Sequence, residues 1–404
     1  MVVRFGIDVL LERLTQAGGP PPAWRRVGLV TNDAARLGTD ATCRTREGLL
    51  RAGVPLQRLF GPEHGLIATA IDGARVDDTI DTVTGLPVVS LYGARMRPTA
   101  EQLGDLDVLL FDIPDVGARC YTYAWTLFHA LQACADVSVP LLVLDRPNPL
   151  GGCLHVAEGP VLEKECRSFI GEDDIPLRHS LTLGELARLW QREHWPAAML
   201  EVVPCEGWNR KQAWPAVGRP WIPPSPAMPS FESAIWYPGT CLFEATNLSV
   251  GRGTDIPFAQ IGAPWLRAEA VIEQVAAEAA QTGAHLRACE FMPAEGPWAG
   301  TSCRGIRMLD ATPPDGDRSV WIAQTTHPVQ LGLALLDAIV RQHPDDFSWA
   351  HYPTAANPTG TDHFARLIGR ADLHAAMGAQ SREDRIGLTA VPDWRERCAL
   401  ARLY

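Results

Sequence analysis

Four short stretches of this chain gather the side chains that chemistry needs. They read Thr31-Asn32-Asp33, Gly61-Pro62-Glu63-His64-Gly65, Asp112-Ile113-Pro114-Asp115 with Arg119 just beyond, and Asp145-Arg146-Pro147-Asn148. Between them they set carboxylates beside arginines, amides and a histidine, a combination that holds a polar ligand and moves a proton on it. One aspartate closing a strand is ordinarily a helix cap or a turn former; four such groups in series point to a shared site. Lysine chemistry is nearly excluded, because of 36 basic residues only Lys164 and Lys211 are lysines and the other 34 are arginines. Neither lysine sits in the buried setting of a Schiff base or the Gly-rich loop of a phosphate-binding lysine. A metal-dependent hydrolase built on Glu63, His64 and Asp112 is a competing reading, but the eleven histidines contain no HxH or HExxH pair and the ten cysteines no CxxC. No GxGxxG follows a predicted strand. Neither a metal nor a cofactor is expected.

Each stretch follows an apolar run of strand length: residues 26–32, 56–60, 107–112 and 140–145. The last two are near-continuous Val/Leu, as in strands covered on both faces, and 121–136 reads as a covering helix. This βα rhythm predicts a mostly parallel sheet, whose ligands bind beyond the carboxyl ends of the strands. The capping box Thr182-Leu183-Gly184-Glu185 opens another helix, followed by a further strand at 199–204. Residues 208–264 turn dense in Pro, Gly and Trp, read as irregular chain packed across the site. A second unit begins near Ala263, with helices over 267–282 and 329–341, strands over 285–291 and 305–309, and a helical tail.

With 404 residues the chain has room for two or three domains, and 46% hydrophobic with 21% charged residues is ordinary globular composition. A net charge of −11 argues against nucleic-acid partners, which need a basic face. No run approaches the ~20 apolar residues of a membrane span. Residues 1–14 read as an amphipathic helix broken by Asp8, Glu12 and Arg13 rather than a signal peptide, so a soluble cytoplasmic protein is expected.

Longer blocks carry a family resemblance. GPEHG at 61–65, FDIPDVGARCYTY at 111–123, LDRPNPLGG at 144–152, PSPAMPS at 224–230, YPGTCLFEATNLSVGRGTDIPFAQIGAPW at 237–265 and the ending with Trp394, Arg397 and Tyr404 resemble the NamZ-type exo-β-N-acetylmuramidases. This glycoside hydrolase family was formerly a domain of unknown function. The resemblance spans essentially the whole chain. It implies a Rossmann-like α/β catalytic domain over 1–262, including the segment 208–262, joined to a smaller α+β domain over 263–404 with the site between them. It also implies release of N-acetylmuramic acid from the non-reducing end of peptidoglycan fragments in cell-wall turnover, with a small saccharide or muropeptide as the partner. The chain departs from the family pattern at Asn32-Asp33-Ala34-Ala35, where Asn-Gln-Thr-Gly is common, after Gly65, and at Ala227, where an asparagine is usual. A catalytically altered sugar-binding protein, or a glycosidase of different specificity, is the alternative.

Glycoside hydrolysis needs a proton for the leaving oxygen and a base, a nucleophile or the substrate's acetamido group on the other face. On this reading Glu63 is the general acid and His64 tunes it or shuttles protons. Asp115, Asp145 and Glu244 are the candidates for a second carboxylate. Tyr121 and Tyr123 form a sugar platform, donate hydrogen bonds, or simply pack. A lactyl carboxylate calls for Arg119, Arg146 or Arg252; the first two alternatively pair with Asp115 or Asp145. Asn32, Asn148, Asn247 and Ser249 complete the candidate binding set.

Overall fold

The apolar runs become strands whose side chains are covered on both faces. The computed structural model describes residues 2–404. Its strands, in chain order, are β1 (Val27–Thr31), β2 (Leu56–Gly61), β3 (Thr79–Ile80), β4 (Pro87–Ser90), β5 (Val108–Asp112), β6 (Leu141–Leu144), β7 (Leu200–Val203), β8 (Gln260–Ala263), β9 (Ala284–Phe291) and β10 (Cys303–Asp310). Every residue of β1, β5 and β6 is buried, which is why these strands carry no polar alternation. The first seven form one sheet in the order β3-β4-β2-β1-β5-β6-β7, parallel except for β3 against β4. The chain runs from β1 to one side through β2 and β4, then crosses to the other through β5, β6 and β7. The carboxyl ends of β1 and β5 therefore flank the switch in strand order.

Helices Gly6–Ala17, Thr45–Arg51, Tyr123–Val137 and Leu183–His194 belong to this α/β unit. One apolar cluster, with Ile7, Leu29, Leu110 and Val203, lies on one face. The other cluster holds Leu109, Phe111 and Trp125 and runs on through Trp236 to Leu335, so the two units share a core. The second unit is built on an antiparallel sheet, β8-β10-β9, with helices Ala268–Gln281 and Pro328–Gln342. The expected α/β sheet with a smaller second domain is thus the observed fold.

Three details differ from the sequence reading. The Pro-rich stretch read as irregular contains a helix, Phe231–Thr240, despite Pro238 within it. The Ser230 side chain caps its start; Pro238 removes one N–H from the ladder, and the helix, buried at every residue but Glu232, is held by its packing. The helix crosses Pro328–Gln342 so closely that a Cβ on Gly239 would sit 1.8 Å from the Pro328 carbonyl oxygen. Second, β8 places residues 260–262 in the second sheet, short of residue 263. Third, the amino-terminal helix starts at Gly6, because Arg4 pairs as a bridge with Glu206 and the Phe5 N–H is capped by the Asp8 carboxylate. The carboxyl terminus folds back onto the first unit: the Trp394 indole donates to His179 O, and the Tyr404 hydroxyl donates to Asp145. Among the described residues no helix is long and apolar enough to cross a membrane.

Candidate active site

Glu63 leaves β2 on a tight turn. Gly65 N–H donates to Pro62 O at 3.0 Å, with His64 at φ +66° and Gly65 at φ +73°. A histidine in the left-handed region is a local strain of the kind that gathers at functional sites. The turn aims Glu63 inward, where Oε1 accepts from Gly73 N–H (2.9 Å) and Oε2 from the Thr122 hydroxyl (2.6 Å). No guanidinium meets it among the described residues. His64 Nδ1 lies 2.8 Å from Ala70 O and its Nε2 3.6 Å from Asp72 Oδ1; a proton on Nδ1 leaves Nε2 as the free acceptor.

Residues 67–76, a largely exposed strap, carry Asp72 and Gly73 across the top of the site. The strap is tied to the second unit where Ala355 N–H donates to Gly73 O. Beneath it lies a narrow cavity, open to solvent on one side, whose walls include Glu63, His64, Asp72, Tyr121, Glu244, Arg252, Tyr352 and His363. It shares Asp72, Ala227, Glu244, Arg252 and Tyr352 with a broader groove of about 1950 Å³, which Ser249 also lines.

Arg252 is clamped between two carboxylates, donating to Glu244 and ion-paired with Asp72, while its guanidinium lies over the Phe258 ring at 5.1 Å. Burial pushes Glu244 above the usual glutamate range; Arg252 opposes this and Asp72 adds to it. Burial alone would lower Arg252, but Glu244 and Asp72 raise it instead, so it stays charged. His363 stacks on Tyr352 with centroids 4.6 Å apart, both ring nitrogens buried without partners, and burial lowers it to about 4, which keeps it neutral.

Of the residues singled out from sequence, Glu63, His64, Tyr121, Glu244 and Arg252 meet in the cavity and Ser249 in the groove. Others are placed elsewhere. Arg119 is wholly buried and donates to four carbonyls, those of Pro160, Ile175, Leu367 and Ile368. It staples the two units and pairs with neither Asp115 nor Asp145. Arg146 pairs with Asp112 instead. Asp145 accepts from the Thr182 hydroxyl, Gly184 N–H and the Tyr404 hydroxyl, anchoring the carboxyl terminus, and burial raises it to about 6. Asp115 accepts from Gly117 N–H and faces His179. Asn148 ties Leu181 O to Leu150 N–H, and Asn247 ties Asp346 O to Ser348 N–H. Asn32 donates to the Tyr123 hydroxyl, which donates to Pro224 O, so both stand behind the cavity wall. Tyr121 and Tyr123 pack edge-on at 4.9 Å. Most of these polar atoms are met internally, whereas Asp115 Oδ1, Arg119 Nε and the Tyr121 hydroxyl are buried without a partner.

Sequence reasoning passed over Asp72, Thr122, Tyr352 and His363. Thr122 sits inside the CYTY motif and was within reach of it. Asp72, Tyr352 and His363 lie in loop or tail sequence with no pattern to mark them.

Residues 27–232 match the family model described as the N-terminal domain of exo-β-N-acetylmuramidase NamZ, and residues 235–402 match its C-terminal counterpart. A curated relative, the peptidoglycan β-N-acetylmuramidase NamZ of Bacillus subtilis (strain 168), is 40% identical over 350 residues, 86% of this chain and 80% of the relative. Two crystal structures of DUF1343 family proteins from Bacteroides fragilis NCTC 9343 are similar. One is 29% identical with a TM-score of 0.83, the other 25% identical with a TM-score of 0.69, each comparison covering 100% of this chain and 99% of the other.

Proposed function

This chain belongs to the NamZ family of exo-β-N-acetylmuramidases, and from that membership we propose that Glu63 and the Glu244–Arg252–Asp72 cluster carry out the family's hydrolysis. The protein is a glycoside hydrolase that releases N-acetylmuramic acid from peptidoglycan-derived saccharides. The cavity and groove support an exo mode: the terminal sugar occupies the narrow cavity and the rest of the fragment lies along the groove.

The arrangement of donors around Glu63 carries the assignment. As general acid it gives its proton to the glycosidic oxygen while the anomeric C–O bond breaks, and it becomes a carboxylate. Gly73 N–H and the Thr122 hydroxyl already point at the oxygens on which that charge appears, so the transition state meets donors that need no reorganisation. Glu244, paired with Arg252, faces the positive charge developing at the sugar ring. Arg252 is the cavity's guanidinium and meets the lactyl carboxylate, in the place that Asp72 holds in the free protein. The raised carboxyl of Glu244 favours a second reading in which Glu244 donates the proton.

Hydrolysis of a chromogenic N-acetylmuramide beside the matching N-acetylglucosaminide tests the specificity: the muramide is turned over and the glucosaminide is not. Equal rates on both would break the link between Arg252 and the lactyl group. Arg252→Met should then lose the preference as well as rate.

A further inference from the structure

A second recess opens at the carboxyl ends of β1, β5 and β6, on the other side of the Pro224–Met228 segment from the catalytic cavity. It is partly open to solvent, and its walls include Arg36, Asp115, Trp214, Arg219, Trp221 and Pro224. It shares no lining residue with the catalytic cavity or its groove. Its position is the switch in strand order between β1 and β5, the place where open α/β sheets characteristically hold a ligand.

Two guanidinium groups of the recess, Arg219 and Arg36, form no ion pair with a carboxylate among the described residues. Arg219 makes no hydrogen bond or ion pair among the described residues, and its Nε is buried without a partner. Arg36 spends Nε and Nη1 on two main-chain carbonyls, Asp33 O and Thr42 O, and meets no carboxylate. Burial and the neighbouring Arg44 lower its pKa, with Asp33 and Glu47 acting the other way at longer range. Buried or half-buried guanidinium groups ordinarily find an anion. Asp115, on the same lining, has one carboxylate oxygen buried without a partner, an acceptor suited to a hydroxyl group. The indoles of Trp214 and Trp221 stand edge to face at 5.4 Å, which leaves flat apolar surface between the charged groups. Trp221 is fixed by its N–H to Met228 O and Pro224 by the Tyr123 hydroxyl, so this wall is preformed.

We propose that this recess is a second binding site, distinct from the catalytic cavity, for an anionic pyranose. The ligand's carboxylate or phosphate meets Arg219 and Arg36, its ring lies against Trp221 and Trp214, and a hydroxyl donates to Asp115. Two cations without an ion pair, one unpartnered acceptor and an aromatic wall match the groups of a charged sugar in kind.

The test is calorimetric titration of the intact protein with glucuronate, glucose 6-phosphate and neutral glucose. Both charged sugars bind, and glucose binds at least tenfold more weakly; the tighter of the two identifies carboxylate or phosphate as the preferred anion. Arg219→Gln weakens the charged sugars at least tenfold, and Ala41→Phe, which fills the recess from its rim without removing a charge, abolishes binding. Hydrolysis of the chromogenic muramide by both variants stays within twofold of wild type, which also shows that they are folded. No binding, equal binding of glucose, an affinity unchanged in Arg219→Gln, or competitive inhibition of hydrolysis that survives Ala41→Phe would each overturn the proposal.

Discussion

Replacing Glu63 by Gln changes one property of the site, the ability to release a proton. Glutamine keeps the carbonyl oxygen that accepts from Gly73 N–H, and its amide can donate to the Thr122 hydroxyl, which turns from donor to acceptor. The structural cost is therefore the net worth of about one hydrogen bond, ~1 kcal/mol. The catalytic cost depends on the leaving group. A sugar alkoxide cannot depart unprotonated, so for a muramyl disaccharide the full general-acid contribution is lost, ~10²–10⁴-fold in kcat, or ~3–5 kcal/mol at the transition state. An activated aryl group leaves as its phenolate without a proton, so the chromogenic muramide loses ~10-fold or less by the same reasoning. The assay is kcat for both substrates with wild type and variant, with KM recorded to show that binding persists. A loss as large on the aryl substrate as on the disaccharide would mean that Glu63 positions or stabilises rather than protonates. Near-normal rates on both would move the acid elsewhere, and Glu244→Gln tested in the same way would then show the leaving-group dependence.

Further perturbations separate structural from chemical roles. Arg119→Met leaves four buried carbonyls without their donor, at ~1–3 kcal/mol each before relaxation, so the urea midpoint should fall markedly; an unchanged midpoint would contradict the staple between the units. Burial raises Asp145 from 3.8 to about 6, so its protonated form is the one folding prefers. Its contribution is fully present below pH ~4 and lost as pH rises through ~6, about 3 kcal/mol in all. Unfolding free energies of wild type and Asp145→Asn at pH 4 and 7.5 should diverge by that amount, against the wild type at the higher pH, and parallel curves would refute the shift. Gly73→Val puts a branched side chain at φ +68° with its Cβ 2.6 Å from Thr354 Cγ2. The strap then cannot seat its N–H on Glu63, and kcat should drop ~10-fold or more with little change in Tm; full activity would show that the strap is dispensable. Chelator should leave hydrolysis unaffected. Among the described residues the metal-spaced trio Asp173, Glu193 and His194 lies outside the catalytic cavity, with Arg397 paired to all but the histidine. Loss of activity with chelator would revive the metal reading.

The sheet was readable because its chemistry is local. A buried parallel strand is a near-continuous apolar run with a polar turn at its end, so β1, β5 and β6 announce themselves, while β2, interrupted by Gln57 and Arg58, shows less plainly. β3 did not show, since two exposed residues carry no pattern, and the helix Phe231–Thr240 was hidden by a proline that burial of the helix makes tolerable. Glu63 was found in the same local way, on a turn bounded by glycines after an apolar strand. The long block 237–265 supplied Glu244 and Arg252 as separate candidates, and their pairing is visible only in the structure.

What the linear order left open was direction. Asp112, Asp115 and Asp145 all follow strands, and Arg119 and Arg146 follow them closely, yet tertiary packing turns each toward an internal partner. Asp112 takes Arg146, Asp145 takes the chain terminus, and Arg119 reaches carbonyls 248 and 249 residues away. Burying a guanidinium or a carboxylate is tolerable only when its hydrogen-bonding capacity is met, and which groups meet it is settled by how the two units close. The same closure brings Asp72, Tyr352 and His363 around Glu63. Sequence alone therefore determined the family and the sheet, and it picked out Glu63 at the end of β2 as a candidate. The tertiary structure decided which polar residues face a ligand, because that depends on contacts between segments hundreds of residues apart.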